Sequence, residues 1–463
     1  MDDEDPFDLD KITNERKEEV LSATYYDYNQ LNFIDSLHKT ANNLYIDFSN
    51  DVINSSDQNQ ELMFLAHQIS SADKDLIKSI ISPEILIYLY NAFMASSPND
   101  ARLPFISYII YYALLNVDEI DIFMTPEFIE KIFTLNKNVS QDVRDNIEHI
   151  FAFLNYRYNF SQNCPPEIAF EYIKAITNPI VQACCYSNLN QRNNKFQPDE
   201  LLSLIDFGFA ILSNSNDDKT SDTILAGLAI NLSELDNISP YRGAEAIVLL
   251  NQSDSIGKIL YLLQTKTASF NAAAVIYFLM KFGFKSPEFI DDLLNIIQNS
   301  LEHPDNVEIL ESILKLYSKI IKFNDIPVKT EHFDMFEDVY YESPLKLKNQ
   351  ILNLLQSFIE RDGKQFSLCF SNEFIKEILD TAINCPDNSA KYPLDLLSAL
   401  FLINHPSIRD LRDTEELYSL QDRIHEIKQS YYYGELNKSA DKCLIALDTF
   451  IDSIRSYNSD LSD

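Results

Sequence analysis

Glycine and tryptophan are the scarce residues of this chain. Its 463 residues include 7 glycines and no Trp, where an average protein carries about 7% glycine. All seven (Gly208, Gly227, Gly243, Gly257, Gly283, Gly363, Gly434) follow residue 207. At these positions they write no G-x-G-x-x-G fingerprint, no phosphate loop and no G-x-S-x-G elbow, so nucleotide cradles and nucleophile elbows built on glycine are excluded. They are also too few for the tight turns of an all-β barrel. Basic side chains are short as well: 37 Lys and Arg against 71 Asp and Glu leave a net charge of −34. Phosphates of nucleic acid and anionic membrane surfaces would be repelled by such a chain. The same charge suits good solubility or a basic partner.

Other absences narrow the reading further. The longest apolar-rich stretches, Leu103–Val117 and Ile85–Asn99, are broken by Pro, Ser and Asn. They read as buried helices rather than membrane spans. The N-terminus, Met1-Asp2-Asp3-Glu4-Asp5-Pro6-Phe7-Asp8, has neither the basic start nor the apolar stretch of a secretory leader. The six cysteines show no C-x-x-C spacing and read as reduced thiols in a cytoplasmic protein, with a nuclear location also open. The seven histidines are scattered, without H-E-x-x-H or a Cys/His cluster, so no metal and no cofactor is expected. Paired acids such as Asp291-Asp292 read as surface charge rather than as an acid/base dyad.

What is present is helical periodicity. Phe289, Leu293, Ile296 and Ile297 form one apolar stripe, and Leu347, Ile351, Leu354, Leu355 and Phe358 another. Helix starts recur in one form: Ser82-Pro83-Glu84, Thr125-Pro126-Glu127 and Ser286-Pro287-Glu288, with looser versions at Pro166, Pro198, Pro240 and Ser371-Asn372-Glu373. Ser or Thr caps the first amides, Pro at the first helical position loses no hydrogen bond, and the acid suits the helix dipole. Most of these starts are spaced by about 40–47 residues, the period of a two- or three-helix repeat. Such an array also explains the length, since a single core stops growing at roughly 250–300 residues. The expected organisation is an acidic, disordered segment over residues 1–20, a repeat array over 21–410 and C-terminal capping helices over 411–463. A polar loop is expected at Asn214–Asp222.

The more apolar second helix of each unit carries a finer signal. Tyr112 precedes Asn116 by four positions, and Phe151 precedes Asn155 likewise. Phe64 and Gln68 make a weaker copy, and Asn188 and Asn231 keep the amide without the aromatic. This register resembles the third helix of the armadillo/HEAT-like helical repeat superfamily, whose members include the importin alpha adaptors and the catenins. The chain departs from importin alpha in having no Trp at the aromatic place and in its acidic N-terminus. Ser/Thr-Pro replaces the usual glycine turn, and Met280 stands where an Asn would fall, with Asn404 resuming the register. The resemblance implies an all-α, right-handed α-solenoid of about eight or nine imperfect repeats. It implies a concave groove in which the amides bind an extended peptide backbone and the aromatics wall slots for side chains. The expected binding residues are Phe64, Gln68, Tyr112, Asn116, Phe151, Asn155, Asn188 and Asn231.

The functional expectation is a non-enzymatic scaffold that binds a protein or extended peptide, with no nucleic acid and no membrane insertion. The alternative is a divergent nuclear-import adaptor for basic cargo peptides. An enzyme would need a closed pocket of convergent titratable groups. Lys315, Lys319 and Lys322 lie on one helix face and read as a solvated stripe. Asp5-Pro6-Phe7 resembles the short peptides bound by clathrin-adaptor appendage domains.

Overall fold

The computed structural model describes residues 56–70, 72, 74–117, 121–157, 166–189, 196–323, 331–366, 370–403, 405, 408, 415–429 and 434–460. The acidic segment 1–20, with Asp5-Pro6-Phe7, and Asn404 lie outside these residues. Every regular element among the described residues is helical. The chain forms two compact units that divide between Ser255 and Ile256.

The unit ending at Ser255 contains α1 (Ser56–Ile69), α2 (Lys74–Ile80), α3 (Pro83–Ala95), α4 (Leu103–Asn116), α5 (Pro126–Asn136), α6 (Gln141–Arg157), α7 (Pro166–Ala175), α8 (Pro179–Asn188), α9 (Pro198–Asn214), α10 (Asp218–Ile238) and α11 (Gly243–Ser253). Helices α1, α4, α6, α8 and α10 pack side by side in that order as a row of seam helices. A flanking helix covers each of the later four: α3 on α4, α5 on α6, α7 on α8 and α9 on α10. The unit beginning at Ile256 repeats the plan. It contains α12 (Ile256–Leu263), α13 (Ser269–Lys281), α14 (Pro287–Glu302), α15 (Val307–Ile320), α16 (Glu331–Glu342), α17 (Leu345–Phe366), α18 (Asn372–Asn384), α19 (Lys391–Leu402), α20 (Glu415–Gln429) and α21 (Gly434–Asp460). Here α13, α15, α17, α19 and α21 form the seam row, with α14, α16, α18 and α20 flanking.

The seam helices α4 and α8, each packed against several neighbours, carry no charged side chain at all. A flanking helix buries one stripe. In α14, Phe289, Leu293, Ile296 and Ile297 are buried while Asp291 and Asp292 are exposed. In the seam helix α17, Leu347, Ile351, Leu354, Leu355 and Phe358 are all buried.

Most of the helix starts form as their chemistry dictates, although Ser286 ahead of Pro287 makes no side-chain cap bond. Ser82, Thr125 and Ser371 each accept a hydrogen bond from the amide three residues on, at 3.4, 3.3 and 3.0 Å. Asn178 does the same work ahead of Pro179, accepting from the Ile180 and Val181 amides. Two expectations need correction. Ser239-Pro240 opens only a short 3-10 turn, and the α-helix begins at Gly243. The polar segment around residue 218 is not a loop through Asp222. Asp217 accepts from the Thr220 amide at 2.8 Å, and this cap starts α10 at Asp218. The acids there complement the helix dipole instead of marking a break.

Two buried devices hold the first unit in register. Glu148 on α6 is 1% exposed. Its carboxylate accepts from the Thr177 and Asn178 amides at 2.8 and 2.9 Å, and from the Thr177 hydroxyl at 3.0 Å. It thereby pins the start of α8 onto α6, at the charge-assisted strength that a carboxylate with amide donors provides. The second device is Tyr186 on α8, whose ring enters between α9 and α10 where Gly208 and Gly227 leave room. Its hydroxyl accepts from Asn231 Nδ2 at 2.9 Å.

Candidate partner-binding groove

An apolar concavity lies on α1, α4 and α6, with a volume of about 580 Å³. On α1, Met63, Phe64 and His67 fall at i, i+1 and i+4, which places them on one helix face, and Ser70 follows the helix end on the same side. Across from them stand Phe105 and Tyr108 of α4, and Asn146 of α6 closes one side. Met63 is 51% exposed, far from the burial expected of a core Met. The Tyr108 ring lies 4.8 Å from that of Tyr112, and Tyr112 lies 5.6 Å from Tyr111. These contacts make one aromatic ladder along α4. Asn146 Nδ2 donates to Ser107 Oγ at 3.3 Å, a buried polar pair below the groove. Deeper in, His149 packs edge-on against Tyr111 at 5.3 Å, and burial pushes its pKa below the ordinary histidine value. No Asp, Glu, Lys or Arg contributes to the wall; His67 and the Tyr108 phenol are its ionisable side chains. The surface can therefore hold apolar and aromatic side chains, and its own residues offer little acid/base chemistry.

A second, polar cleft of about 400 Å³ runs past the first turns of α6, α8 and α10. Its polar groups are already engaged in starting those helices. Asn178 and Asp217 cap α8 and α10, and Gln141 Nε2 donates to Asp145 at 2.8 Å.

The residues expected to bind a peptide separate into two groups. Phe64 lies in the groove wall, with Gln68 half-buried one turn further along α1. Tyr112 is half-buried on the aromatic ladder. Asn116 is half-buried too, but its Nδ2 donates to the Tyr112 carbonyl of its own helix at 2.8 Å. The other four are core residues, which corrects the expectation that they line an open groove. Phe151 is 1% exposed and packs edge-on against Phe133. Asn155, Asn188 and Asn231 are 5%, 7% and 1% exposed.

The reason is geometric. Their helix face points toward the neighbouring seam helix rather than outward. Asn155 Nδ2 on α6 donates to the Cys185 carbonyl of α8 at 3.2 Å. That carbonyl belongs to the last turn of α8, where the helix itself supplies no donor. Asn231 on α10 reaches back to Tyr186 on α8. The unit beginning at Ile256 shows the same habit, with Ser269 Oγ of α13 donating to Ser312 Oγ of α15 at 3.2 Å. Asn155 and Asn231 of the amide register are thus polar stitches between seam helices.

Sequence reasoning missed Met63, His67, Ser70, Phe105, Tyr108 and Asn146 as groove residues. Tyr108 and Tyr112 stand at i and i+4 on a helix without charge, a pattern that core residues share, so their types did not mark the groove. Elsewhere, Lys315 pairs with Glu311 at 2.9 Å, and Lys346 shares that carboxylate. The expected lysine stripe is thus partly an ion-pair cluster. The described cysteines, Cys184, Cys185, Cys385 and Cys443, are buried free thiols. Among the described residues no helix is long and apolar enough to cross a membrane.

No known family profile and no curated protein matches this sequence. Solved structures do share the fold. An engineered protein from a structural genomics consortium aligns over 90% of this chain and 99% of its own, with TM-score 0.57 and 13% identity. A structure of the SYS-1/POP-1 complex aligns over 89% of this chain and 85% of the matched chain, with TM-score 0.52 and 9% identity. A third structure, from work on a phosphorylation switch in the cadherin and beta-catenin interaction, aligns over 94% and 99% at TM-score 0.46 and 12% identity. At these identities the first two speak for the fold alone, and the third carries no argument.

Proposed function

We propose that this chain is a non-enzymatic interaction scaffold that holds a segment of a partner protein in the groove on α1, α4 and α6. The observation that carries the reading is the open aromatic wall of Phe64, Phe105 and Tyr108 beside the exposed Met63. Soluble monomers rarely leave such a surface uncovered without a use for it. A repeat fold of this kind builds long surfaces from short units, which suits binding extended or helical segments. The SYS-1/POP-1 structure, itself a protein complex by its description, lends this reading support at the level of fold. The import-adaptor alternative has less to stand on. Three of its amides are buried in the seams, and no acid lines the groove to receive a lysine.

The test is a photo-crosslinking amino acid placed at Met63, with the same group at Ile87, an exposed position on α3, as reference. Partner peptides captured from Met63 and lost when Phe64→Ala is added would support the groove. The same captured peptides from both positions would refute it.

A further inference from the structure

We propose that the occupant of the groove is an amphipathic segment that seats large apolar side chains between Phe64, Phe105 and Tyr108 and carries lysine or arginine at its flanks. The proposal rests on the groove reading above and adds the partner's chemistry. The wall decides the first half. It is aromatic and aliphatic, its polar members are His67, Ser70 and Asn146, and it includes no Asp or Glu. A lysine head placed inside would lose water without meeting a carboxylate.

The rim decides the second half. Asp142, exposed, lies one turn before Asn146 on the same face of α6, and Glu61 lies one turn before Phe64 on α1, with one carboxylate oxygen buried. Among the described side chains of α1, α4 and α6, Arg144 is the one Lys or Arg. It turns away to the last turn of α5, donating to the Asn136 carbonyl at 3.1 Å. Arg102, just ahead of α4, is neutralised by Asp100 at 2.8 Å. An apolar trough inside an acidic frame selects a partner that is apolar in the middle and basic at the edges, and repels one with acidic flanks.

The experiment uses fluorescence anisotropy with the full chain and three short labelled peptides: one alternating Leu and Lys clusters with helical spacing, one with every Lys replaced by Glu, and one with every Leu replaced by Ser. The Leu/Lys peptide is expected to bind and to weaken as salt rises from ~0.05 to ~0.5 M. Its affinity is expected to fall about tenfold or more in the Met63→Ser, Phe64→Ala variant, as loss of a buried large side chain implies. An Ile87→Ser variant should bind as the parent does. Helical circular dichroism equal to the parent's establishes that each variant is folded. Equal binding of the Leu/Glu peptide would overturn the charge half while the groove survives. Equal binding of the Ser/Lys peptide, unaffected by the Met63 and Phe64 changes, would overturn the groove reading itself. Binding by none of the three would overturn both.

Discussion

Gly227→Ala should destabilise the unit ending at Ser255, against the usual helix preference. Glycine inside a helix ordinarily costs roughly 0.5–1 kcal/mol relative to alanine, so replacement alone would stabilise. Here a Cβ at residue 227 would sit 2.7 and 2.8 Å from Tyr186 ring carbons and 2.9 Å from the Ser187 Cα. Ordinary contact begins near 3.4 Å, so the ring would have to retreat by roughly 0.7 Å. It has nowhere to go. Its hydroxyl is already at Gly208, where a Cβ would lie 2.2 Å away, and Asn231 holds it. Ser187 is backbone and moves only with α8. Separating α8 from α10 is an overpacking cost at the upper end of ~1–3 kcal/mol, leaving a net loss of about 2 kcal/mol. Gly257 has open space around it, so Gly257→Ala should gain up to about 1 kcal/mol. Hydrogen exchange of peptides spanning residues 181–189 and 224–232 reads the first change locally, which matters because a chain of two units need not unfold in one step. Urea midpoints compare the signs. If Gly227→Ala leaves exchange unchanged, or raises the midpoint as Gly257→Ala does, the account of Tyr186 as a wedge is wrong. Pairing Gly227→Ala with Tyr186→Leu should recover part of the loss, a coupling that a propensity effect would not produce.

Three further outcomes follow from the buried groups. Glu148→Gln should cost about 2–3 kcal/mol, because the amide keeps one acceptor oxygen and sets its NH2 donor against either the Thr177 or the Asn178 amide; urea unfolding followed at 222 nm measures it. Asn155→Ala should cost about 1–3 kcal/mol by stranding the Cys185 carbonyl, while Asn116→Ala should change the midpoint far less; similar losses for both would refute the seam role. Burial lowers the His149 pKa, so below the ordinary histidine range the unfolded chain takes up a proton that the folded chain refuses. Stability should therefore fall as pH drops from about 7.5 to 5.5, and His149→Asn should flatten that slope in urea midpoints taken across the range.

The seam residues show why the fold was easier to read than the site. Apolar stripes such as Leu347 to Phe358 and caps such as Ser82 and Thr125 act within one helix. Their meaning is local, and a sequence displays it directly. The amides act between helices. Asn155 and Cys185 are bonded across 30 positions, and Asn231 and Tyr186 across 45. A period in the sequence shows that such residues recur; it does not show whether they face the next helix or the solvent. An amide on an apolar helix satisfies either description, and only packing decides between them. The groove residues were hidden for the opposite reason. Met63, Phe105 and Tyr108 look like ordinary core residues, and nothing in their type records that the space across from them is open.

The two scarcities of the sequence then have one structural consequence. Glycine is nearly absent because the helices start on Ser/Thr-Pro caps instead of glycine turns, and two of the seven glycines are placed where α9 and α10 must close around a tyrosine. Positive charge is scarce, yet few acids are buried in the seams: α4 and α8 carry none, and among the described residues only Glu148 on α6 and Asp222 on α10 are buried, Glu148 with its amide donors in place. The negative charge is therefore carried by flanking faces and helix ends, as at Asp291, Asp292 and Asp142. An apolar surface left open on such a body is framed by acid without being lined by it. That difference between frame and lining separates a partner held by apolar side chains and steered by charge from one held by its lysines.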